Sequence, residues 1–228
     1  MCGRYALCTP LDDLVEIFDV PPVDFGLDAR YNIAPTQQAP VVASDRRGTR
    51  MGLMRWGLVP AWAKDISIGS RMINARAETL RNKPAFREAA VARRCLVPAD
   101  GFYEWVKEDS GKVPHWIHDP GGSPLAFAGL WERWTGGDTD GGTDPMHSFT
   151  IITVEPTEAV RPLHDRMPAI VAMGERATWL DKTVRTENAL EILRPYEGEL
   201  AAYPVSTLVN SPASDTADGI APLGGTPG

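Results

Sequence analysis

Cys2, the second residue of the chain, offers chemistry that an internal cysteine does not. The sequence begins Met1-Cys2-Gly3-Arg4, and removal of Met1 would leave Cys2 with an α-amino group beside its own thiol. The two groups have ordinary pKa values of about 8 and about 8.5, so either can act as a nucleophile near neutral pH. With an aldehyde, the amine can form a Schiff base and the thiol can close a five-membered thiazolidine on the same carbon. This start predicts a site that traps aldehydes.

Four other polar residues have types and surroundings that suit such a site. Asn74 and Arg76 are two apart, so in an extended segment both side chains point to the same side. Glu104 stands between aromatic residues, where burial would raise the pKa of its carboxyl and suit it to proton transfer. His164 is followed by an aspartate and an arginine.

Each of these residues also has a purely structural interpretation. An asparagine before a strand commonly forms a turn, and a glutamate between aromatic residues commonly lies at a sheet edge with its carboxylate in water. A His-Asp pair is commonly a surface pair. The presence of Asn74, Glu104 and His164 together with Cys2 favours one shared catalytic site over three separate structural roles.

The elements that must position these residues are mostly short strands. Hydrophobic spacing predicts helices over residues 9–18, from residue 84, over 176–180 and over 186–193, and strands over the segments 40–43, 49–58, 95–98, 102–106, 114–118, 125–131, 148–154, 169–172 and 203–206. We expect residues 40–58 and residues 114–131 to form two hairpins. The pattern predicts an α+β fold with a largely antiparallel, curved or barrel-like β-sheet core and a few short flanking helices.

Length and composition favour one domain. We predict a single domain over residues 1–211 and a flexible C-terminal tail over residues 212–228, which are rich in Ser, Asp, Gly and Pro. Residues 136–144 form a Gly/Asp/Thr run that predicts an exposed loop.

Several classes of protein are disfavoured by composition. No basic region followed by an apolar run opens the chain, and no stretch approaches about 18 consecutive apolar residues, so we expect a cytoplasmic protein without a membrane partner. The three cysteines, Cys2, Cys8 and Cys95, show no Cys-x-x-Cys spacing, which argues against a disulfide framework or a zinc knuckle. Nothing indicates a metal or an organic cofactor. We expect a monomer.

Charge is distributed unevenly along the chain. The net charge is −7, but residues 1–94 carry +4 and residues 95–228 carry −11. A basic face on an acidic protein is one interpretation, and scattered surface charge is the other.

Six segments, in order, resemble the motifs of a known family. They are Met1-Cys2-Gly3-Arg4-Tyr5, Tyr31-Asn32-Ile33-Ala34-Pro35, Arg55-Trp56-Gly57-Leu58-Val59-Pro60, Ile73-Asn74-Ala75-Arg76-Ala77-Glu78-Thr79, Gly101-Phe102-Tyr103-Glu104-Trp105 and Leu163-His164-Asp165-Arg166-Met167-Pro168. The chain is similar in these segments to the SRAP family, the SOS-response-associated peptidase-like proteins. Proteins of this family shield abasic sites in single-stranded DNA by covalent crosslinking.

The resemblance implies a role for each matched residue. Cys2, once amino-terminal, would form the thiazolidine with the aldehyde of the abasic sugar. Asn74 would hold the sugar and the Cys2 amine, Glu104 would transfer protons, and His164 would assist opening of the sugar ring. The partner would be single-stranded DNA containing abasic sites, including single-strand/double-strand junctions.

The resemblance also implies which residues bind DNA. Arg4, Arg76 and Arg166 would contact phosphates, and Trp62 would stack at kinked DNA. Some relatives have a second aromatic residue directly after this tryptophan, whereas Ala63 stands here. We therefore expect weaker stacking at the junction.

Two other classes of function remain open from the sequence. One is a hydrolase, in which Cys2 acts either as an N-terminal nucleophile or as the nucleophile of a cysteine peptidase with Glu104 and His164. Removal of its own Met1 could be the only cleavage that such a peptidase performs. The other is a non-covalent single-stranded DNA binding module that uses Trp62 and the arginines.

Overall fold

The computed structural model describes residues 2–109, 111–136 and 145–224. Of the run 136–144, for which the sequence predicts an exposed loop, residues 137–144 lie outside the described residues. The strands are β1 Tyr5–Leu7, β2 Arg30–Ile33, β3 Gln38–Asp45, β4 Gly48–Trp56, β5 Asn74–Arg76, β6 Arg94–Ala99, β7 Gly101–Glu108, β8 Gly111–His118, β9 Leu125–Trp134, β10 Met146–Val154, β11 Met167–Pro168 and β12 Ala201–Pro204.

The helices are short. They are α1 Leu11–Ile17, α2 Arg87–Ala92, α3 Arg176–Leu180 and α4 Thr186–Leu190, with 3₁₀ turns at Ile66–Arg71, Ala77–Thr79, Met173–Glu175, Thr207–Asn210 and Ala217–Gly219. The predicted α+β class with short flanking helices is confirmed.

Five strands close into a β-barrel in the order β10-β4-β3-β6-β9 and back to β10. The β4–β10 contact is parallel and short, with Arg55 opposite Ser148 and Trp56 opposite Phe149, whereas the other barrel pairs are antiparallel. Strand β5 pairs with β10 in parallel and is not one of the five barrel strands. The barrel-like sheet predicted from the strand pattern is thus confirmed.

A second sheet packs beside the barrel in the antiparallel order β12-β8-β7-β1-β2. Tyr5 of β1 joins the two layers, because its ring lies 5.1 Å from that of Trp56 and 6.2 Å from that of Phe127, both edge to face. Burying such aromatic pairs between two layers holds the start of the chain rigidly against the barrel.

Cys95 fills space in the barrel, as expected for a small apolar residue. Its side chain is fully buried, and a Cβ built on Gly129 of the neighbouring strand would lie only 2.9 Å from its Sγ atom. Glycine at position 129 leaves room for the thiol, so this cysteine packs and is not available for chemistry.

Two predictions about the strands differ from the structure. Strand β8 pairs with β7 and β12, whereas β9 lies in the barrel, so residues 114–131 are not a hairpin. The segment after β11 is not a strand from Ala169 to Ala172, although Ala169 and Val171 each donate one main-chain hydrogen bond to the barrel. Only the alternation of apolar residues was visible in the sequence, and alternation does not identify the partner strand.

The predicted C-terminal tail stays a prediction, and its residues up to 224 make defined contacts with the rest of the chain. Within it, the carboxylate of Asp215 accepts hydrogen bonds from the main-chain N–H groups of Tyr31 and Asn32 and from the Nε of Arg30. Gly219 is buried, and Pro222 forms a bridge with Val205. A polar composition does not reveal that one carboxylate can fasten a segment to a strand.

Candidate functional site

Cys2 lies at the junction of the two sheets and is fully buried. Its Sγ atom is 3.7 Å from the carbonyl oxygen of Arg4, to which the thiol donates. Burial raises the pKa of the Cys2 thiol well above its usual range, and the negative charge of Glu104 adds to the rise. The thiol is therefore neutral at pH 7, and its reaction requires a proton acceptor.

Asn74 reaches Cys2 from the barrel. Strand β5 extends alongside β10, so Ala75 is buried while Asn74 and the exposed Arg76 share the other face. The Nδ2 atom of Asn74 donates to the carbonyl oxygen of Cys2 at 2.7 Å. Its Oδ1 atom is buried and has no hydrogen-bond partner in the part of the chain that the structure describes. Asn74 therefore holds Cys2 and presents one unused acceptor nearby.

Glu104 approaches Cys2 from strand β7. Its side chain is 4% exposed and lies on the same face of β7 as Phe102, whereas Tyr103 and Trp105 pack on the opposite face in a separate cluster. Burial raises the pKa of the Glu104 carboxyl, and the interaction with His164 acts in the opposite direction. A buried carboxyl whose pKa is raised can both accept and return a proton.

His164 is presented by a turn after β10. Its main-chain N–H donates to the carbonyl of Val160 at 3.0 Å, and its Nδ1 atom accepts the main-chain N–H of Arg166 at 2.9 Å. The Oδ1 atom of Asp165 lies 2.8 Å from the same nitrogen and makes a salt bridge when the ring is protonated.

The structure thus brings Cys2, Asn74, Glu104 and His164 into one site. An amide donor, a buried carboxyl and an imidazole surround a neutral thiol, and the electrostatic interactions of Glu104 with Cys2 and with His164 link the three titratable groups. Such a set can move protons during addition of a nucleophile to a carbonyl carbon. The catalytic roles themselves stay predictions.

The side chains of Arg166 and Arg4 are more buried than is usual for arginines that bind phosphate, and both make hydrogen bonds within the protein. Arg166 is 8% exposed and makes two bonds to the carboxylate of Glu78, at 2.8 and 3.0 Å. Arg4 uses its Nη1 atom on Asn32 and Val209, at 2.7 and 2.6 Å. Their predicted contacts with DNA stay predictions, and both side chains have clear structural partners.

Trp62 is the large exposed aromatic residue of the loop after β4, with 60% of its side chain accessible. The ends of this loop meet at Gly57 and Gly69, where a Cβ on either residue would lie 2.6 Å from the carbonyl oxygen of the other. Ala63 is 3% exposed, and its carbonyl accepts the indole N–H of Trp134 at 2.8 Å. Position 63 therefore points into the protein, and the weaker stacking expected from Ala63 stays a prediction.

Asn32 is a buried residue beside the site for which no role was predicted. Its side-chain amide contacts Arg4 and the main chain of residues 209–214. Its place in the segment Tyr31-Asn32-Ile33-Ala34-Pro35 was the available signal.

Across residues 2–109, 111–136 and 145–224, no group of three or more His, Cys, Asp or Glu side chains is arranged to hold a metal ion. No helix in those ranges has the length and apolar character needed to cross a bilayer.

Comparison with known proteins places the chain in a family. The profile of the SOS response associated peptidase (SRAP) family matches residues 1–212, and the chain belongs to this family. It is 43% identical over 225 residues to abasic site processing protein YoaM of Bacillus subtilis (strain 168), with 96% of each chain covered. It is 34% identical to abasic site processing protein HMCES of Gallus gallus, with 85% of this chain and 66% of the relative covered.

Solved structures show the same fold. A Bacteroides thetaiotaomicron protein superposes with a TM-score of 0.86 at 24% identity, covering 97% of this chain and 99% of the other. A phage-related protein of Bordetella bronchiseptica superposes with a TM-score of 0.69 at 31% identity, covering 90% of this chain and 95% of the other.

Proposed function

We propose that this protein processes abasic sites in single-stranded DNA by trapping the aldehyde of the open sugar with Cys2, after Met1 has been removed. The observation that carries the proposal is the position of Cys2, which is held by the amide of Asn74 at 2.7 Å and lies beside the buried carboxyl of Glu104. The names of relatives such as YoaM and HMCES, abasic site processing proteins, support the choice of substrate.

The proposed chemistry needs no external oxidant or reductant. The Cys2 amine adds to the aldehyde carbon, and loss of one water gives a Schiff base. The thiol sulfur then forms a bond to the same carbon, the imine nitrogen takes up a proton, and the thiol proton leaves to a base. The product is a thiazolidine that joins protein and DNA, with one water released overall. Because the ring removes the imine, it also removes the electron sink for β-elimination, and the strand stays intact.

The roles of the neighbouring groups follow from their positions. Glu104 takes the thiol proton and returns protons to the leaving oxygen, since burial raises the pKa of its carboxyl and so favours uptake of a proton. Asn74 fixes the main chain of Cys2 and offers its Oδ1 atom to the amine or to a sugar hydroxyl. His164 assists ring opening of the sugar through its imidazole.

The DNA strand is proposed to lie over the exposed residues next to this site. Arg76 shares a strand face with Asn74 and is exposed, so its guanidinium suits a phosphate contact. Trp62 supplies a stacking surface for bases. Arg4 and Arg166 add positive charge at the edges, with part of each guanidinium already bound within the protein.

Removal of Met1 is the first step to test. Intact mass of the purified protein reports whether Met1 is present, before and after mixing with a single strand from which uracil has been excised. We expect a protein without Met1 and a one-to-one adduct lighter than the sum of its parts by one water. Cys2→Ala should give no heat-stable adduct, whereas the matched variant Cys8→Ala should react normally.

Two outcomes would contradict the proposal. If the protein hydrolyses an amide substrate, loses this activity in Glu104→Gln and forms no DNA adduct, its function is that of a peptidase. Equal binding of single strands with and without the abasic aldehyde, and no covalent adduct, would indicate that the protein is a non-covalent DNA-binding module. Including duplex and junction substrates, and measuring molecular mass in solution, tests the preference for single strands and the expected monomer.

A further inference from the structure

Asn32 joins three separate parts of the chain through one side chain. It is fully buried, and its Oδ1 atom accepts a hydrogen bond from Nη1 of Arg4 at 2.7 Å. Its Nδ2 atom donates toward the carbonyl oxygens of Val209, Ser211 and Ser214, at 3.3, 2.9 and 2.6 Å. The NH₂ group of the amide is a donor and faces three carbonyl oxygens, and its oxygen is an acceptor and faces the Arg4 guanidinium. Turning the amide over would lose these bonds, so its orientation is fixed.

Asp215 locks this arrangement from the other side. One carboxylate oxygen accepts the main-chain N–H groups of Tyr31 and Asn32, at 2.5 and 2.9 Å, and the other accepts the Nε of Arg30 at 2.5 Å. The segment 209–215, which follows the last strand, is thereby fastened along β2. We call Asn32, Asp215 and residues 209–214 the C-terminal clamp.

The C-terminal clamp acts on Cys2 through Arg4. The Nη1 atom of Arg4 bonds Asn32 and Val209, and the guanidinium carbon lies 5.7 Å from the centre of the Trp105 ring. The carbonyl of the same arginine accepts the main-chain N–H of Tyr103 at 3.0 Å and the thiol of Cys2 at 3.7 Å. Because the Arg4 side chain is held by these contacts, the main chain of Arg4, two residues after Cys2, is held in place as well.

We propose that Asn32 is a positioning residue for the reaction of Cys2, acting through Arg4, and that the C-terminal clamp is part of the site. The proposal rests on the proposed function, because it concerns how fast Cys2 forms its adduct. Asn74 holds the Cys2 carbonyl from the barrel side, and Arg4 holds the following residues from the opposite side. Reaction rates depend on placement within a fraction of an ångström, so loosening one anchor lowers the rate without removing a reacting group.

Asp100 provides a matched control at the other end of β1. It accepts the main-chain N–H groups of Cys8 and Thr9, at 2.5 and 2.9 Å, and the hydroxyl of the same threonine at 2.5 Å. Like Asp215 it is a half-buried carboxylate with two main-chain bonds and one side-chain bond. It differs in that its bonds lie at the end of β1 that is remote from Cys2.

The test compares Asn32→Ala, Asp215→Ala and Asp100→Ala with the unaltered protein. The crosslinking rate is measured at saturating abasic single strand, and the dissociation constant is measured at several salt concentrations with a strand that carries a tetrahydrofuran analogue, which has no aldehyde. We expect the saturated rate to fall about tenfold in Asn32→Ala and several-fold in Asp215→Ala. We expect an unchanged rate in Asp100→Ala, and an unchanged dissociation constant and salt dependence in all three.

Thermal unfolding of each variant separates folding from positioning. If Asn32→Ala does not fold, Asp215→Ala decides, because its carboxylate is only partly buried. A rate equal to that of the unaltered protein in the folded clamp variants would overturn the inference. So would weaker binding with a reduced salt dependence at an unchanged saturated rate, which would show that Asn32 acts on DNA binding through Arg4 and not on the reaction of Cys2. Absence of any adduct in the unaltered protein would instead refute the proposed function.

Discussion

The side-chain amide of Asn74 donates a 2.7 Å hydrogen bond to the main-chain carbonyl of Cys2, across 72 positions of sequence. This bond joins the barrel, through β5, to the start of the chain, which pairs with the second sheet. The nucleophile therefore does not sit on a loose terminus. Its position is set by both layers of the fold.

Replacement of Asn74 by alanine should slow adduct formation by about tenfold or more, because the Cys2 carbonyl would lose its donor and the site its buried acceptor. Stability should fall by about 1 kcal/mol, the typical net value of one such bond. Gel analysis of heat-stable adducts and thermal unfolding measure the two effects. Asn188→Ala, on an exposed face of α4, is the control, and equal rates in the two variants would contradict the role given to Asn74.

Glu104 makes stability depend on pH in a defined direction. Burial raises the pKa of its carboxyl in the folded protein, so the ionised form is disfavoured by folding. Below the unfolded pKa of about 4.3 the group is protonated in both states and has no effect. Above the raised pKa it is ionised in both states, and the folded state carries the full penalty.

Glu104→Gln should therefore be more stable than the unaltered protein at pH 8 and about equally stable at pH 4, while its adduct formation falls strongly. Urea unfolding at the two pH values measures the difference. Glu108→Gln, at the exposed end of the same strand, should show no such dependence. A loss of stability in Glu104→Gln that is larger at pH 8 than at pH 4 would reverse the sign and contradict the argument.

Arg76 should act as a single phosphate contact. Each contact with single-stranded DNA contributes roughly 0.7 to the slope of log affinity against log salt concentration, so Arg76→Ala should reduce the slope by about that amount. Binding of the tetrahydrofuran strand at increasing salt measures it. Arg47→Ala, in the turn at the far end of the β3–β4 hairpin, should leave the slope unchanged, and an equal effect of both variants would indicate a general effect of charge.

The strands could be predicted largely from local pattern, whereas their pairing could not. Alternation along β7 places Glu104 on the face opposite Tyr103 and Trp105. The pairing of β8 with β12, and the parallel closure of the barrel at Trp56 and Phe149, depend on contacts between segments about 90 residues apart. Apolar alternation carries no information about such partners.

The candidate site shows the same division. The residue types at Cys2, Asn74, Glu104 and His164 indicated one site, and the structure places them together. The arginines were harder to assign, since a sequence does not show whether a cation has an internal partner. Glu78 and Thr153 engage Arg166, and these contacts appear only when β5 and β10 lie side by side.

Trp62 should contribute affinity for single strands through stacking. Removing the ring in Trp62→Ala should weaken binding by about 1–3 kcal/mol, the usual range for one stacked base. Fluorescence anisotropy with an undamaged labelled strand measures this without any covalent step. Leu53→Ala removes another partly exposed apolar residue, on β4, and should have no effect. If both variants bind like the unaltered protein, Trp62 does not contact the strand.

Ala63 provides a test of whether a second aromatic residue beside Trp62 would strengthen stacking. Its side chain is 3% exposed, and its carbonyl is held by the indole of Trp134, so Ala63→Phe would force a ring into packed space. We expect this variant to lose about 1–3 kcal/mol of stability, the usual effect of overpacking, and to gain no affinity for single strands. Thermal unfolding and the same anisotropy assay measure both quantities. Tighter binding by a stable Ala63→Phe protein would mean that the loop can turn position 63 outward, and the stacking surface would then extend beyond Trp62.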